Sequence, residues 1–366
     1  MVSKLKILPR RFLETILVLL FAATNLQCSS LSYYAQAIDG QMDILGKRQP
    51  ISKRLEDPGT PTALRKKLQL ILAVRVFAEK ELQLPVNGNY LSYVALDRPY
   101  VVWNVFAAPE FSLTPKTWCF PIVGCVSYRG YFAEEGAHRF GVALTREGYD
   151  VFVGGAIAYS TLGWFDDPVL STFLSLSDPD IAALIFHELA HGILYVKDDT
   201  AFNESFATAV EQEGLRRWQA ATDDSEGYEK WLLKQQEHRM FTDLVSKYRA
   251  QLEALYEREL PMSAKRKQKA EVFNQMRTEF SNLKSAYGAM TAYDAWFNRP
   301  LNNAQLISVS TYQDWVPAFG RILAESEGNL TKFYQKCRKL AENEPSERRR
   351  ILNRYVHDTP PERNPK

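Results

Sequence analysis

His187-Glu188-Leu189-Ala190-His191 is the stretch of this 366-residue sequence whose residue types and spacing most directly specify chemistry. On a helix, two histidines four positions apart share a face, so both imidazoles can bind one metal ion. The set suits zinc, which takes imidazole nitrogens and carboxylate oxygens. Glu188 follows the first histidine and can reach a water beside the metal as general base. The residues before the motif, Ile181 to Phe186, are apolar and predict a buried helix. Two histidines and a glutamate are costly there unless something pairs with them. A lone histidine in such a helix is more often a hydrogen-bonded core residue.

A third protein ligand is needed, with water in the fourth place. Glu204, near the start of the next predicted helix, is expected to supply it; twelve residues separate it from His191, enough for the chain to turn back. Asp199 is its rival. Glu211 lies seven residues after Glu204 on the same face and could orient a ligand histidine by accepting its other N–H. A hydroxyl donor to a developing oxyanion is expected from Tyr293, Tyr312 or Tyr159. Of the other histidines, His238 falls on a charged helical segment, His357 in the tail, and His138 before an expected hairpin near the cleft.

The elements that must hold these groups follow from periodicity and breakers. A helix over 31–48 is expected to bury Leu31, Tyr34, Ala35, Ile38, Met42 and Leu45, and a second runs to about 82. Residues 86–160 are rich in aromatics, β-branched residues, Gly and Pro, with strands expected at 90–96, 100–107, 126–132 and 151–159. Residues 139–145 and 151–159 read as a hairpin, whose second strand could run beside the metal-binding helix and accept a peptide, with Gly154-Gly155 allowing close approach. Ser177 or Asp178 should cap the motif helix, with Pro179 in its first turn. The metal-binding helices occupy 161–222 and a charged helical region 223–341, with Pro261 between two long helices; 342–366 is polar and expected to fray. The element order gives an α+β fold with a small β-sheet and a large, predominantly helical complement.

Residues 1–28 read as an export signal. Lys4, Lys6, Arg10 and Arg11 precede an apolar run from Phe12 to Ala23, short for a membrane span. Cys28 is a candidate for lipidation, which would hold an exported, periplasmic protein at a membrane; the alternative is an uncleaved N-terminal helix. In that compartment Cys119 and Cys125 are expected to form a disulfide, leaving Cys337 a buried free thiol on a helix. A net charge of +2, with no basic stripe interleaved with aromatics, argues against nucleic acid as a partner.

Several separated stretches together resemble a bacterial family of predicted aminopeptidases in the zincin superfamily. They are Cys28-Ser-Ser-Leu31 with Tyr33-Tyr34-Ala-Gln, Trp118-Cys-Phe-Pro-Ile-Val-Gly-Cys125 with Tyr128-Arg-Gly-Tyr-Phe132, and Phe186-His-Glu-Leu-Ala-His191. Phe202-Asn-Glu-Ser-Phe-Ala207, Asn302-Asn-Ala304 and Val316-Pro-Ala-Phe319 complete the set. The resemblance implies a zincin-like metallopeptidase core, zinc on His187, His191 and Glu204, Glu188 as base, and a peptide substrate. The interval before Glu204 is shorter than in the better-known members. Aminopeptidase action also needs an acid for the free amine, for which Glu134 and Glu135 are candidates. The alternatives are a zinc endopeptidase of the envelope, or a non-catalytic envelope interaction protein on the same scaffold. The intact Glu188 speaks against the second, since a purely structural metal has little use for that base.

Overall fold

The computed structural model describes residues 32–120, 124–159, 165–288, 290–309 and 315–357. The export signal, Cys28 and Tyr312 lie outside them. The chain opens with α1 (32–46), β1 (Gln49–Pro50), α2 (Ile51–Glu56) and α3 (Thr62–Lys80). Strands β2 (Ser92–Val94), β3 (Val102–Pro109), β4 (Trp118–Phe120), β5 (Gly124–Val126) and β6 (Tyr128–Tyr131) follow, then α4 (Glu134–Arg146), β7 (Tyr149–Ala156) and β8 (Val169–Leu170). The rest is helical: α5 (Asp178–Ala190), α6 (Thr200–Thr222), α7 (Ser225–Glu257), α8 (Met262–Tyr287), α9 (Asp294–Phe297), α10 (Asn303–Ser308), α11 (Val316–Ala324), α12 (Leu330–Ala341) and α13 (Pro345–His357). The fold is α+β, with small sheets and helices predominating.

The main sheet has the order β6-β3-β7, antiparallel throughout, with Trp103 of β3 opposite Tyr131 on one side and Gly155 on the other. Helix α4 packs on β7 and β3 through Ala137, Gly141 and Leu144. These three stand at i, i+4 and i+7, a helical period, and Glu134 and Glu135 sit in the favourable first turn. The expected hairpin of 139–145 with 151–159 is therefore corrected: its first arm is a helix, and β7 pairs with β3 instead. A second sheet, β1-β2-β8, lies with α3, α5 and α6 around the largest core. Cys119 and Cys125 face each other across the β4–β5 pair and are bonded, while Cys337 is a buried free thiol on α12.

Two further expectations are overturned. On α1 the stripe Tyr34, Ile38 and Met42 is exposed, Ile38 to 61%, whereas Ile44 is buried. The helix is held from its other side, where the Gln36 amide bonds Gly130 O and Phe132 N at the β6 edge. The residues after 342 do not all fray: α13 runs to His357 and buries Arg348 and Leu352. No helix among the described residues is long and apolar enough to cross a membrane.

A third core fills the α7–α8 pair with α9 and α10. Asp224 caps α7, and Pro261 stands at the start of α8 as the turn between the two long helices. Asn302 caps α10, and Asn303, fully buried, donates to the carbonyls of Pro109, Glu110 and Ser112 while accepting from Tyr256 Oη. Asn303 thus joins the helical pair to the end of β3, and Asn302 donates to Val151 O of β7.

Candidate metal centre

Helix α5 begins at Ser177, whose hydroxyl accepts from Asp180 N, with Pro179 in the first turn. Lys67 and Lys234 pair with Asp178 and Asp180 there. Ile181, Ile185, Phe186 and Leu189 bury the helix against the core and leave His187 and His191 half-buried on another face. The imidazole centroids are 5.1 Å apart. Past Gly192 the chain reverses. Asn203, itself buried, clamps the reversal by accepting from Val196 N at 2.7 Å and donating to Val196 O at 2.8 Å. Asp199 caps α6 by accepting from Phe202 N. Its carboxylate also receives two bonds from Arg348 of α13, at 2.8 and 2.6 Å. That engagement removes Asp199 as a rival ligand.

Glu204, in the second turn of α6, thereby faces both histidines. Its carboxylate lies 3.2 Å from His187 Nε2 and 3.8 Å from His191 Nε2. One ligand-type atom from each of His187, His191 and Glu204 falls within 4.8 Å of the others. Two imidazole nitrogens and a carboxylate oxygen are donor types that zinc takes. Glu211, one helical face with Glu204, accepts from His187 Nδ1 at 3.0 Å and so presents Nε2 to the cluster. His191 Nδ1 is buried with no hydrogen-bond partner among the described residues, while its Nε2 lies on the side of Glu204. The Glu188 carboxylate, on the adjoining turn, likewise makes no hydrogen bond among the described residues.

Three acids, Glu188, Glu204 and Glu211, and two histidines share the charge of the cluster. Burial would depress His187, but the hydrogen bonds to Glu204 and Glu211 outweigh it and hold the imidazole up to about 10. A proton on His187 thus supplies the positive charge. Burial and then the His187 charge push His191 down to about 4. Burial raises Glu188 to about 7; His187 opposes this, and Glu204, Asp167 and Glu211 add to it. Burial would raise Glu204 too, but the His187 bond and both histidine charges hold it below the usual carboxylate range.

The expected hydroxyls stand behind groups that act on the cluster: His238, the partner of Tyr293, feels the charge of Glu211, and Tyr159 feels that of Asp167, which also acts on Glu188. Tyr293 Oη bonds His238 Nδ1 at 3.0 Å and its ring stacks on Phe241. Tyr159 Oη donates to Gln41. His138, Glu134 and Glu135 sit on the exposed face of α4, where Glu134 lies 3.7 Å from His138 and Glu135 pairs with Arg139. Neither acid belongs to the cluster, nor does His138 line it. The Gly154-Gly155 pair makes room for the rings of Phe152 and Tyr100. The outward carbonyls of Val151 and Val153 are occupied by Asn302 and Arg299, which closes that edge of β7. The aromatics that feel the cluster's charge are Tyr128, at the start of β6, and Tyr195. Burial first, then Glu204, raises both hydroxyls. Tyr90 and Asp167, both buried, stand close enough to Glu188 to interact with its charge. No spacing rule links any of these four to the motif.

No curated protein and no solved structure matches the chain. A family model does, over residues 32–352, which span α1 to α13 and every residue of the cluster. The chain belongs to the family described as Putative aminopeptidase.

Proposed function

We propose that the protein is a zinc-dependent peptidase with a zincin-like core, acting as an aminopeptidase, in which His187, His191 and Glu204 hold the metal and Glu188 is the general base. The observation that carries this reading is the convergence of two imidazoles and a carboxylate within 4.8 Å, beside a glutamate with no hydrogen bond of its own among the described residues. Family membership supports a peptide substrate. Zinc bound there would supply Lewis acidity, making a water acidic near neutral pH and polarising the peptide carbonyl. The chain's own residues do the rest. Glu211 holds the His187 tautomer, Glu188 takes a proton from the attacking water and returns it to the departing nitrogen, and the apolar residues of α5 keep the base poorly solvated. Tyr128 and Tyr195, which feel the charge of Glu204, join Tyr293 and Tyr159 as candidate hydroxyls for steadying negative charge on the carbonyl oxygen. The exposed, ion-paired Glu134 and Glu135 do not supply an amine-binding acid, and this favours endopeptidase as the second reading. Cleavage of an N-terminally blocked peptide at the same rate as the free one would decide for it.

Purified protein is expected to bind about one zinc per chain and to release protons as it does so, because His187 carries its proton far above neutrality until a cation replaces it. Affinity should therefore weaken as pH falls. Titration calorimetry in buffers of different ionisation enthalpy reads both quantities. Failure to bind added zinc would sink the proposal.

The N-terminal segment supports an exported, membrane-attached protein, through lipid on Cys28 or an uncleaved helix. Cell fractionation should find the chain in the envelope. An intact mass with unmodified Cys28 would remove the lipid and leave export standing.

A further inference from the structure

Helix α6 lines a second concavity, on a different face from Glu204 and Glu211. An open groove of about 340 Å³ lies between α6, α7 and α11, with Gln212 and Arg216 on one wall, Leu232 and Arg239 on the other, and Val316 and Gly320 at the base. That volume is at the lower end of built ligand sites. Three independent features say what it fits.

The first is charge. Arg216 is tied to Glu213 through Nε and one terminal nitrogen at 2.8 Å, and Arg217 shares the same carboxylate. Arg217 also bonds Gly328 O and does not line the groove. Of the charges that do, Arg216 is taken by Glu213, and Arg239 is the cation left over: its guanidinium has no hydrogen bond or ion pair among the described residues. The second is the apolar surface between the polar groups: Leu232 is 44% exposed beside Val316, and the Gln212 amide is unbonded among the described residues. The third is Gly320. It sits in the middle of α11, where glycine weakens a helix relative to alanine. A Cβ there would meet nothing within 4 Å. Packing does not require a glycine at this position, and any side chain would project into open space at the groove.

We propose that this groove is a docking site for an extended acidic segment of a partner polypeptide. A carboxylate of the segment pairs with Arg239, an apolar side chain lies over Val316 and Leu232, and the Gln212 amide bonds the backbone. The inference is separate from the metal cluster and stands or falls without it.

The test uses the full chain in chelator, so that no probe is turned over, and a fluorescein-labelled hexapeptide of alternating Leu and Asp, blocked at both ends. Fluorescence anisotropy should show saturable binding, weakened about tenfold or more by Arg239→Glu, as loss of one charge-assisted contact predicts. Gly320→Trp, which fills open space, should weaken it as much. His187→Ala should not change it, and a Leu/Lys hexapeptide should not bind. Arg239 is an exposed residue, so its variant keeps the test valid if the tryptophan variant fails to fold. Absence of saturable binding, equal binding of the Leu/Lys peptide, or binding unaffected by Arg239→Glu would overturn the proposal. So would groove variants that alter only self-association of the chain, which would make a second copy the occupant.

Discussion

Glu188→Gln is expected to yield a folded, zinc-binding protein whose turnover of a peptide substrate falls at least roughly 100-fold, the lower end of what loss of a general base costs. Gln keeps the shape of the side chain and loses its basicity. None of the three proposed metal-holding groups is touched, since His187 is held by Glu204 and Glu211 and Glu188 bonds none of them. The same geometry predicts a second result. Burial and three neighbouring acids hold the folded Glu188 at about 7, above an unfolded carboxyl, so its ionisation opposes folding. Below about pH 4 the group is protonated in both states and has no effect on stability; the cost grows as pH rises from there to about 7 and stays constant above it. Gln never ionises. Metal-free Glu188→Gln should therefore melt at or above the wild-type temperature at pH 8, the reverse of what a structural glutamate would show. A residue that costs stability and is needed for turnover is placed for chemistry. Metal content, circular dichroism and peptide turnover on one sample decide the matter, and a zinc-loaded, folded variant with near wild-type turnover would rule out the mechanism.

The parts of the site that could be read from sequence are those carried by short spacings. His187, Glu188 and His191 fall on one turn, and Glu204 and Glu211 share a face of the next helix, so helical geometry alone aligns them. What holds the two helices in register was not legible. Asn203 looks like an ordinary polar residue until Val196 is seen seven positions back, accepting and donating to the same amide. Tyr128 and Tyr195 reach Glu204 from β6 and from the reversal after α5, and pattern within an element carries no information about either approach. On α1 the periodicity was right and the face wrong, because only tertiary packing decides which side of the helix meets a partner. Over 139–145 a hairpin arm was expected, but the 3.6-residue spacing of Ala137, Gly141 and Leu144 makes the segment helical.

The C-terminal segment departs furthest from what its composition suggests. Arg348 lies in a stretch whose composition suggests solvent, yet it is buried with its guanidinium on Asp199, 149 positions earlier, and over the Phe202 ring at 5.4 Å. Both partners are nearly inaccessible, at 4 and 8% of side-chain exposure. Removing one partner of such a pair leaves the other charge buried, which costs about 3–5 kcal/mol. Arg348→Met keeps much of the stem's packing and is expected to lose that much. Asp199 would still accept from Phe202 N, and so would Asn at its place, a good helix cap without the charge. The double variant Asp199→Asn/Arg348→Met should therefore be more stable than Arg348→Met alone, although it carries one more substitution. Denaturant melts of the three proteins measure this. The consequence reaches the proposed metal site because Asp199 begins the helix whose second turn presents Glu204. Zinc affinity should fall in Arg348→Met and recover in part in the double variant, in step with stability. If Arg348→Met melts like wild type, the α13 clamp contributes nothing to the fold. If it unfolds readily while zinc affinity of the folded fraction is unchanged, the clamp secures the helices without positioning Glu204.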